Sequence, residues 1–411
     1  MKLEYFIAKR IAQDKNFKSS ISAPIIKIAI LAIALGILMM IISVATGKGL
    51  QNKIRQKVSA FNGHVIISNY NNNQSDVSTE PISTNQNFYP KFKNITGIRN
   101  VQAVASKAGI IRTETEFEGI VFKGVDKNYN WNDISEFLIS GRVPNLLDNL
   151  NQEVIISQYL SNRLQLKLGS SFNTFFMKDE ANKIPNSRRF KIVGIYNSGF
   201  QEFDATFVIG DIRHIQKINK WDKNKIGNFE VFIDDFSKIK EKGVEIYSLT
   251  SSILDSKTII EKYYYIFDWL NLFDFNIILI IIIMLSVSTI NIVVALLVII
   301  LERTQMIGIL KSLGANNWMI RKIFLINVFK IIFKGLLLGN FLALSLLLIQ
   351  KYFGIIKLNP QNYYVNQAPV EIDLLNILIL NVFILLISIL VLIIPSFIIT
   401  KLSPSKTFSF T

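Results

Sequence analysis

Four long segments of the chain are almost entirely apolar, and the segments between them mix apolar and polar residues. The apolar segments cover residues 25–46, 274–301, 323–349 and 374–400, and residues 275–301 contain no charged residue. At ~1.5 Å of rise per residue, a helix of this length crosses a hydrocarbon core of ~30 Å. The pattern therefore predicts four transmembrane helices and excludes a purely soluble enzyme.

Basic residues are concentrated in three short segments that flank the apolar ones. Residues 1–24, 302–322 and 401–411 each contain more Lys and Arg than Asp and Glu. Because short loops rich in Lys and Arg stay in the cytoplasm, both termini and the 302–322 loop are expected there. The first apolar segment lacks a small-residue cleavage site, so an uncleaved membrane anchor is expected.

The segment between the first two apolar stretches has the pattern of a water-soluble domain. β-type runs recur along it, and helical patterns at 158–166 and 210–220 lie between them. The predicted strands are residues 64–68, 110–115, 119–125, 153–156, 190–196, 206–209 and 229–233. Residues 70–88 read as a loop, and the two ends, 49–60 and 259–272, predict helical stalks that extend the membrane helices.

These patterns together predict an α-helical membrane protein with four transmembrane helices and a large α+β periplasmic domain between helices 1 and 2. The predicted segments, in chain order, are a cytoplasmic N-terminal segment 1–24, helix 1 at 25–46, the periplasmic domain with its stalks 47–273, helix 2 at 274–301, a cytoplasmic loop 302–322, helix 3 at 323–349, a short periplasmic loop 350–373, helix 4 at 374–400 and a cytoplasmic tail 401–411.

Composition narrows the chemistry that this chain of 411 residues can perform. It has no cysteine and two histidines, which argues against disulfides, thiolate sites and a His-rich metal centre. No phosphate-binding loop, nucleophile elbow or zinc-protease motif is present, so no catalytic residue and no metal site is predicted. The net charge of +15 lies mainly at membrane boundaries and in a mixed surface, so nucleic acid is not an expected partner.

Two polar features of the membrane segments leave alternatives open. Helix 2 carries Ser286, Ser288, Thr289 and Asn291, which serve either helix packing and dimerisation or direct contact with a substrate. Its aromatic approach, with Tyr263, Tyr264, Trp269 and Phe273, is either an interfacial belt or an entrance that contacts lipid. No acidic residue lies at mid-depth in any span, which argues against a secondary transporter with a proton or sodium relay.

The cytoplasmic loop contains a short amphipathic helix. Met306, Ile309, Leu310 and Leu313 share one face of it, and Gly314 is a candidate C-cap. Such a helix either lies against the bilayer or docks in a groove of a partner, and periodicity alone does not choose between them.

This loop resembles the coupling helix of FtsX/MacB-type ABC-transporter permeases, whose common form is R-x-x-[EQ]-I-G-I-L-K-[AS]-L-G-A. The match runs from Arg303 to Ala315, with Met306 where an acidic residue is common. Further motifs resemble the lipoprotein-releasing branch of LolC/LolE type. They are Phe6 to Arg10, Gly47 to Leu50, Gly63-His64-Val65, Arg189 to Ile195, Glu202-Phe203-Asp204, Tyr364-Val365, Ala368 to Glu371, Pro395, and Leu402-Ser403-Pro404.

The resemblance implies a permease that works by mechanotransmission, in the bacterial inner (cytoplasmic) membrane. A separate cytoplasmic ABC ATPase would bind ATP and Mg, so no cofactor is expected in this chain. The other implied partners are a second permease subunit (a copy or a paralogue), a lipoprotein substrate, a periplasmic lipoprotein carrier and membrane lipid. The positions implied to contact the ATPase are Arg303, Ile307, Gly308, Leu310, Lys311, Leu313, Gly314 and Ala315.

Two further sites follow from this interpretation. A loop just before the Phe190 strand can hook the carrier in the family, and its candidates here are Phe176, Met177 and Pro185. A lipid-anchored substrate would enter between helices 1 and 2, near Met39, Met40, Ile42 and Phe273. The alternatives are a peptide or drug exporter permease of MacB type and an FtsX-like regulator that activates a cell-wall hydrolase.

Overall fold

The computed structural model describes residues 4–7, 22–72, 75–146, 150–177 and 184–401. Contacts divide the chain into two compact units. The helical unit comprises Met1–Leu50, Leu270–Ile356 and Ala368–Thr411, and the α+β domain comprises Gln51–Trp269 and Lys357–Gln367. Four helices in the described residues are long and apolar enough to cross a membrane, which confirms the predicted fold class.

The secondary structure alternates long helices with a many-stranded sheet. In chain order the elements are α1 Ser22–Asn62, β1 Val65–Asn69, β2 Ile82–Ser83, β3 Ile98–Arg112, β4 Phe117–Val125, α2 Asn132–Ser135, β5 Leu138–Gly141, β6 Glu153–Ser157, α3 Gln158–Arg163, β7 Ser171–Phe176, β8 Asn186–Tyr196, α4 Gln201–Asp204, β9 Phe207–Asp211, α5 Arg213–Asn219, β10 Lys225–Ile226, β11 Asn228–Ile233, α6 Ile239–Leu249, β12 Leu254–Thr258, α7 Ile259–Lys262, α8 Tyr264–Glu302, α9 Thr304–Ser312, α10 Asn317–Phe353, α11 Pro360–Tyr363, α12 Leu374–Ser396 and α13 Ile398–Lys401.

The helical unit packs through small residues. Ideal Cβ atoms built on Gly335 and Gly339 would lie 2.6 Å from Ile33 Cγ2 and 2.7 Å from the Ala34 carbonyl oxygen, so α10 and α1 approach closely. Gly36 of α1 contacts Ser288 of α8 in the same way. Lipid tails are as apolar as leucine, so helices in a bilayer associate through such close backbone approach rather than through hydrophobic burial.

An amide pair joins the last two spans. Asn340 Nδ2 of α10 donates to Asn381 Oδ1 of α12 at 2.8 Å, and Asn381 Nδ2 returns a bond to Asn340 Oδ1 at 2.9 Å. Each amide also donates to a carbonyl of its own helix, so the polar groups are well satisfied within an apolar layer.

The α+β domain is built on one mixed sheet. Its described strands run in the order β12-β1-β11-β3-β4-β9-β6-β8-β5, with β7 pairing β3 and β8. β4 pairs β9 and β6 pairs β8 in parallel, whereas the other strand pairs in this sheet are antiparallel. β2 and β10 form a separate short ladder, and the first of these lies in the stretch 70–88 predicted as a loop.

The seven predicted strands correspond to β1, β3, β4, β6, β8, β9 and β11. The prediction missed the first half of β3, because its small and polar residues are buried on both faces and do not alternate. It also missed β12, a polar strand at the sheet edge whose pairing with β1 is a tertiary property. The helix α6 was missed as well, since Gly243 and a weak apolar face obscure its pattern.

A fully buried ion pair joins the sheet to the end of α1. Lys123 Nζ of β4 lies 2.6 Å from Glu230 Oε1 of β11 and donates to the Phe61 carbonyl oxygen in the last turn of α1 at 2.7 Å. Burial lowers the pKa of Lys123 and raises that of Glu230, while their mutual attraction acts against both shifts. The charges are tolerated inside the domain because each is the partner of the other.

We predict that Glu230→Leu lowers the free energy of unfolding of the α+β domain by about 3–5 kcal/mol, because it leaves the Lys123 ammonium buried without a counter-charge. The double variant Lys123→Met/Glu230→Leu should recover most of this loss. Thermal unfolding of the detergent-solubilised protein measures both. A double variant less stable than Glu230→Leu would contradict the prediction.

Candidate functional sites: an aromatic joint and a coupling helix

A connected set of aromatic rings lies in the α+β domain, on residues close in sequence to the membrane helices. We call this set the aromatic joint. It consists of Phe61, Tyr196, Phe200, Phe203, Tyr263, Trp269 and Tyr364. Phe61 lies in the last turn of α1, Tyr263 and Trp269 flank the start of α8, and Tyr364 lies in the connection between α10 and α12. Each passage of the chain between spans and domain therefore contributes a ring.

Phe203 and Phe200 are the centre of this joint. The Phe203 ring centroid lies 5.4 Å from that of Phe61 and 5.8 Å from that of Tyr263. Phe200 stacks on Phe203 at 4.6 Å and on Tyr364 at 4.3 Å, with interplanar angles of 22° and 14°. Such offset contacts add about 0.5–1.5 kcal/mol per pair beyond the area that they bury.

The Glu202-Phe203-Asp204 motif has a structural explanation in this geometry. The Asp204 carboxylate accepts hydrogen bonds from Ser198 Oγ at 2.7 Å and from the backbone N–H groups of Ser198 and Gly199 at 3.1 and 3.0 Å. These bonds fix the turn that presents the buried Phe200. Burial raises the pKa of Asp204, and the hydrogen bonds that its ionised form accepts oppose that rise.

Tyr364 is held from three directions. Its carbonyl oxygen accepts a hydrogen bond from Lys57 Nζ of α1 at 2.8 Å, and its ring lies between Phe200 and Trp269, the latter at 5.6 Å in an edge arrangement. Its φ of +58° places it in the left-handed region.

The aromatic residues that precede the second span differ in environment. The rings of Tyr263 and Trp269 contact Phe203 and Tyr364, whereas Tyr264 is exposed. The aromatic approach to the second span is thus divided between the protein interior and the surface.

The Gly63-His64-Val65 motif leads from α1 into the sheet. Gly63 has a φ of +71°, and a Cβ built there would lie 2.9 Å from Glu230 Cβ, so the turn requires glycine. His64 Nδ1 accepts the N–H of Ile233 at 2.9 Å, which holds the imidazole neutral in one tautomer. Burial and the charge of Arg99 lower the pKa of His64 to about 4.

The predicted coupling helix is α9, and it ends in a Schellman motif. The Ala315 N–H donates to the Leu310 carbonyl at 2.9 Å and the Gly314 N–H to the Lys311 carbonyl at 3.0 Å, with Gly314 at a φ of +88°. Asn316 then caps α10 by accepting the Met319 N–H at 2.7 Å. A tight reversal therefore separates the two helices.

The structure divides the predicted coupling residues between two sides of α9. Ile307 and Gly308 are buried, and Met306 and Leu310 pack partly buried against the core of the helical unit. Ile309 and Leu313 are 50% and 79% exposed, and Trp318 on α10 is 53% exposed. The four residues predicted to share one apolar face thus have different environments, because the spans cover one edge of the helix.

Two cationic contacts tie this region to the end of the last span. Lys311 Nζ donates to the Ile399 carbonyl oxygen of α13 at 2.8 Å. The Arg321 guanidinium of α10 lies 3.8 Å from the Phe397 ring centroid, in cation–π geometry. Lys311, which belongs to the sequence signature, thus anchors α9 within its own chain.

The candidate hook and entrance residues also differ in exposure. Phe176 is buried against Phe122, whereas Met177 is 59% exposed and Pro185 is partly buried; residues 178–183 lie outside the described part. Among the entrance candidates, Met39 is exposed, Ile42 and Phe273 are partly buried, and Met40 lies in the core of the helical unit. Phe176 and Met40 are therefore core residues in this chain.

The polar residues predicted in helix 2, which is part of α8, also differ in exposure. Ser288 is buried against Gly36, while Ser286 and Asn291 face outward and donate to carbonyl oxygens of their own helix. Within the described residues, no group of three or more His, Asp or Glu side chains is placed to hold a metal ion.

The described residues combine four helices that are long and apolar enough to cross a membrane with an α+β domain inserted after the first of them. Two families match this chain. The MacB-like periplasmic core domain matches residues 28–235, about half of the chain, and the FtsX-like permease C-terminal family matches residues 278–404. The chain belongs to this permease family, in the LolC/LolE-type branch of ABC transporters.

Full-length relatives place it in that branch. It is 25% identical over 405 residues to a lipoprotein-releasing system transmembrane protein LolC from Buchnera aphidicola, covering 96% of this chain and 94% of the relative. It is 22% identical to a LolE protein from Haemophilus influenzae, over the whole of both chains. The extracellular domain of the ABC-type transporter YknZ matches 40% of this chain and 84% of its own, at 19% identity and a TM-score of 0.29.

The depressed pKa of His64 predicts a pH-dependent loss of stability. The unfolded state takes up the proton near pH ~6.5 and the folded state near pH 4, so the stabilisation is complete above pH ~6.5 and falls progressively towards pH 4. The loss should approach about 3 kcal/mol. Thermal unfolding of the solubilised protein across this range measures it.

His64→Gln retains an acceptor for the Ile233 N–H and should flatten this dependence, whereas His214→Gln should leave the His64 contribution in place. An unchanged pH profile in His64→Gln would refute the assignment.

Proposed function

We propose that this permease couples ATP hydrolysis by a separate cytoplasmic ATPase to the release of lipoproteins from the inner membrane to a periplasmic carrier. The observation that carries the proposal is the match along nearly the whole chain to relatives named lipoprotein-releasing system transmembrane proteins. The Lys- and Arg-rich short segments support an orientation with both termini and α9 in the cytoplasm and the α+β domain in the periplasm.

Physical chemistry explains why such a reaction needs an ATPase. A lipid anchor gains ~0.8 kcal/mol for each CH₂ group buried in the bilayer, so extraction of acyl chains requires an energy source. No acidic residue lies at mid-depth in the spans, where it would support a proton or sodium gradient as that source. The absence of such acidic residues is consistent with ATP hydrolysis by a partner as the energy source, coupled to the spans through α9.

The exposed apolar side chains of α9 and the start of α10 support a docking surface for the ATPase. Ile309, Leu313 and Trp318 are accessible, whereas Ile307 and Leu310 pack within the helical unit. An amphipathic helix that presents such anchors fits a groove in a partner. Within this proposal, Lys311 positions the helix through Ile399 and does not itself contact the ATPase.

Two exposed apolar residues at the described ends of the β7–β8 connection support the carrier site. Met177 and Ile184, the latter 84% exposed, flank the undescribed part of the β7–β8 connection. Exposed apolar side chains at this connection suit a carrier that shields acyl chains. The second permease subunit, either a copy or a paralogue, would pack against the exposed faces of the spans.

Leu313→Asp should abolish co-purification of the ATPase with the permease, because it places a charge in the apolar contact. Leu313→Met, which preserves an apolar side chain of similar size, should retain it. Membrane insertion and thermal stability should be unchanged in both, since the side chain is exposed. Pull-down from detergent extracts measures the association, and full ATPase recovery with Leu313→Asp would count against this surface.

Depletion of the permease should cause lipoproteins to accumulate in the inner membrane before drug susceptibility or cell separation changes. Membrane fractionation over the course of depletion measures their distribution. Correctly sorted lipoproteins together with increased drug or peptide sensitivity would favour a MacB-type exporter. Correctly sorted lipoproteins with a division defect would instead favour an FtsX-like regulator.

A further inference from the structure

The connection between α10 and α12 contains a short loop that belongs to the α+β domain. Residues Lys357–Gln367 are grouped with that domain by their contacts. Lys357 and Gln367 pair across the base of the loop, and the Leu358 N–H donates to the Asn366 carbonyl at 3.1 Å. The loop is thus closed on itself and presents α11 and Tyr364 beyond its base. Val365, next to Tyr364, is buried.

The contacts of Tyr364 make detachment of this loop unfavourable. Lys57 is only 5% exposed, and its ammonium donates to the Tyr364 carbonyl. Withdrawal of the loop would remove this acceptor from a buried charge and would uncover the face of Phe200. A buried cation that loses a hydrogen-bond acceptor costs more than the bond itself contributes, so the attached state is strongly preferred.

These contacts join parts of the chain that continue into different spans. Lys57 lies on α1, Trp269 lies on α8, and the loop continues through its two ends into α10 and α12. Phe200 belongs to the domain itself and is fixed by the turn that Asp204 holds. Through Tyr364, the loop between the third and fourth spans is thus held within the α+β domain by side-chain contacts.

We propose that Tyr364 and Lys57 form a clasp through which displacement of α10 and α12 is transmitted to the α+β domain. The inference rests on the proposed function, because it assigns to these two positioning residues the step between ATP-driven movement of the spans and release of the substrate. In the proposed function, the separate ATPase and not the clasp binds the nucleotide. Loss of the clasp should therefore uncouple hydrolysis from release rather than stop hydrolysis.

The test uses the full permease–ATPase complex reconstituted in liposomes with an acylated lipoprotein and the soluble carrier. Tyr364→Ala should hydrolyse ATP at a rate close to that of the wild type, while lipoprotein released per ATP falls about tenfold, a typical size for a coupling free energy. Tyr364→Phe keeps the stacked ring and the backbone carbonyl and should remain coupled. The matched control is Tyr363→Ala, because Tyr363 is exposed.

Lys57 provides an independent arm of the same experiment. Lys57→Met should reproduce the uncoupling of Tyr364→Ala, whereas Lys57→Arg keeps a cationic donor and should retain part of the coupling. The double variant Lys57→Met/Tyr364→Ala should release no less lipoprotein per ATP than either single variant, because both substitutions act on one linkage. The thermal stability of each complex serves to separate uncoupling from unfolding.

The outcomes distinguish the clasp from the proposed function. A wild-type complex that hydrolyses ATP without releasing lipoprotein would contradict the proposed function. If the wild type releases lipoprotein and Tyr364→Ala does so with the same yield per ATP, the clasp is wrong. The clasp is also wrong if hydrolysis and release fall together in equal proportion, since that result indicates a merely structural role.

Discussion

The α+β domain depends on how it holds the last turn of α1. At that point the Phe61 carbonyl accepts a hydrogen bond from Lys123, whose charge is balanced by Glu230, and the Phe61 ring enters the aromatic joint. The polar and apolar contacts of one residue therefore bind the helix end to the sheet.

The two units are stabilised by different kinds of interaction. In the helical unit, close approach at Gly36, Gly335 and Gly339 and the amide pair Asn340–Asn381 provide specificity where lipid offers no hydrophobic driving force. In the α+β domain, burial of strands and aromatic side chains from water provides the stability. The chain thus uses small residues and amides in the spans, and large rings at the points where it enters the domain.

The short helix α9 is both anchored within its unit and accessible on one side. Ile307, Leu310 and Lys311 attach α9 to its own spans, whereas Ile309 and Leu313 remain on the surface. Within the α+β domain, Tyr364 shows a comparable division between ring and backbone contacts.

The sequence by itself determined the four spans, the helical stalk at residues 49–60 that continues the first span, and the end of α9 at Gly314. Each of these depends on composition or periodicity within one element. Tertiary structure alone decided that Phe176 and Met40 are core residues and which side of α9 is covered. Periodicity shows that a face is apolar but not which neighbour covers it. The contact between Lys57 and Tyr364 spans 307 positions of the chain, and only the folded domain brings those two residues together.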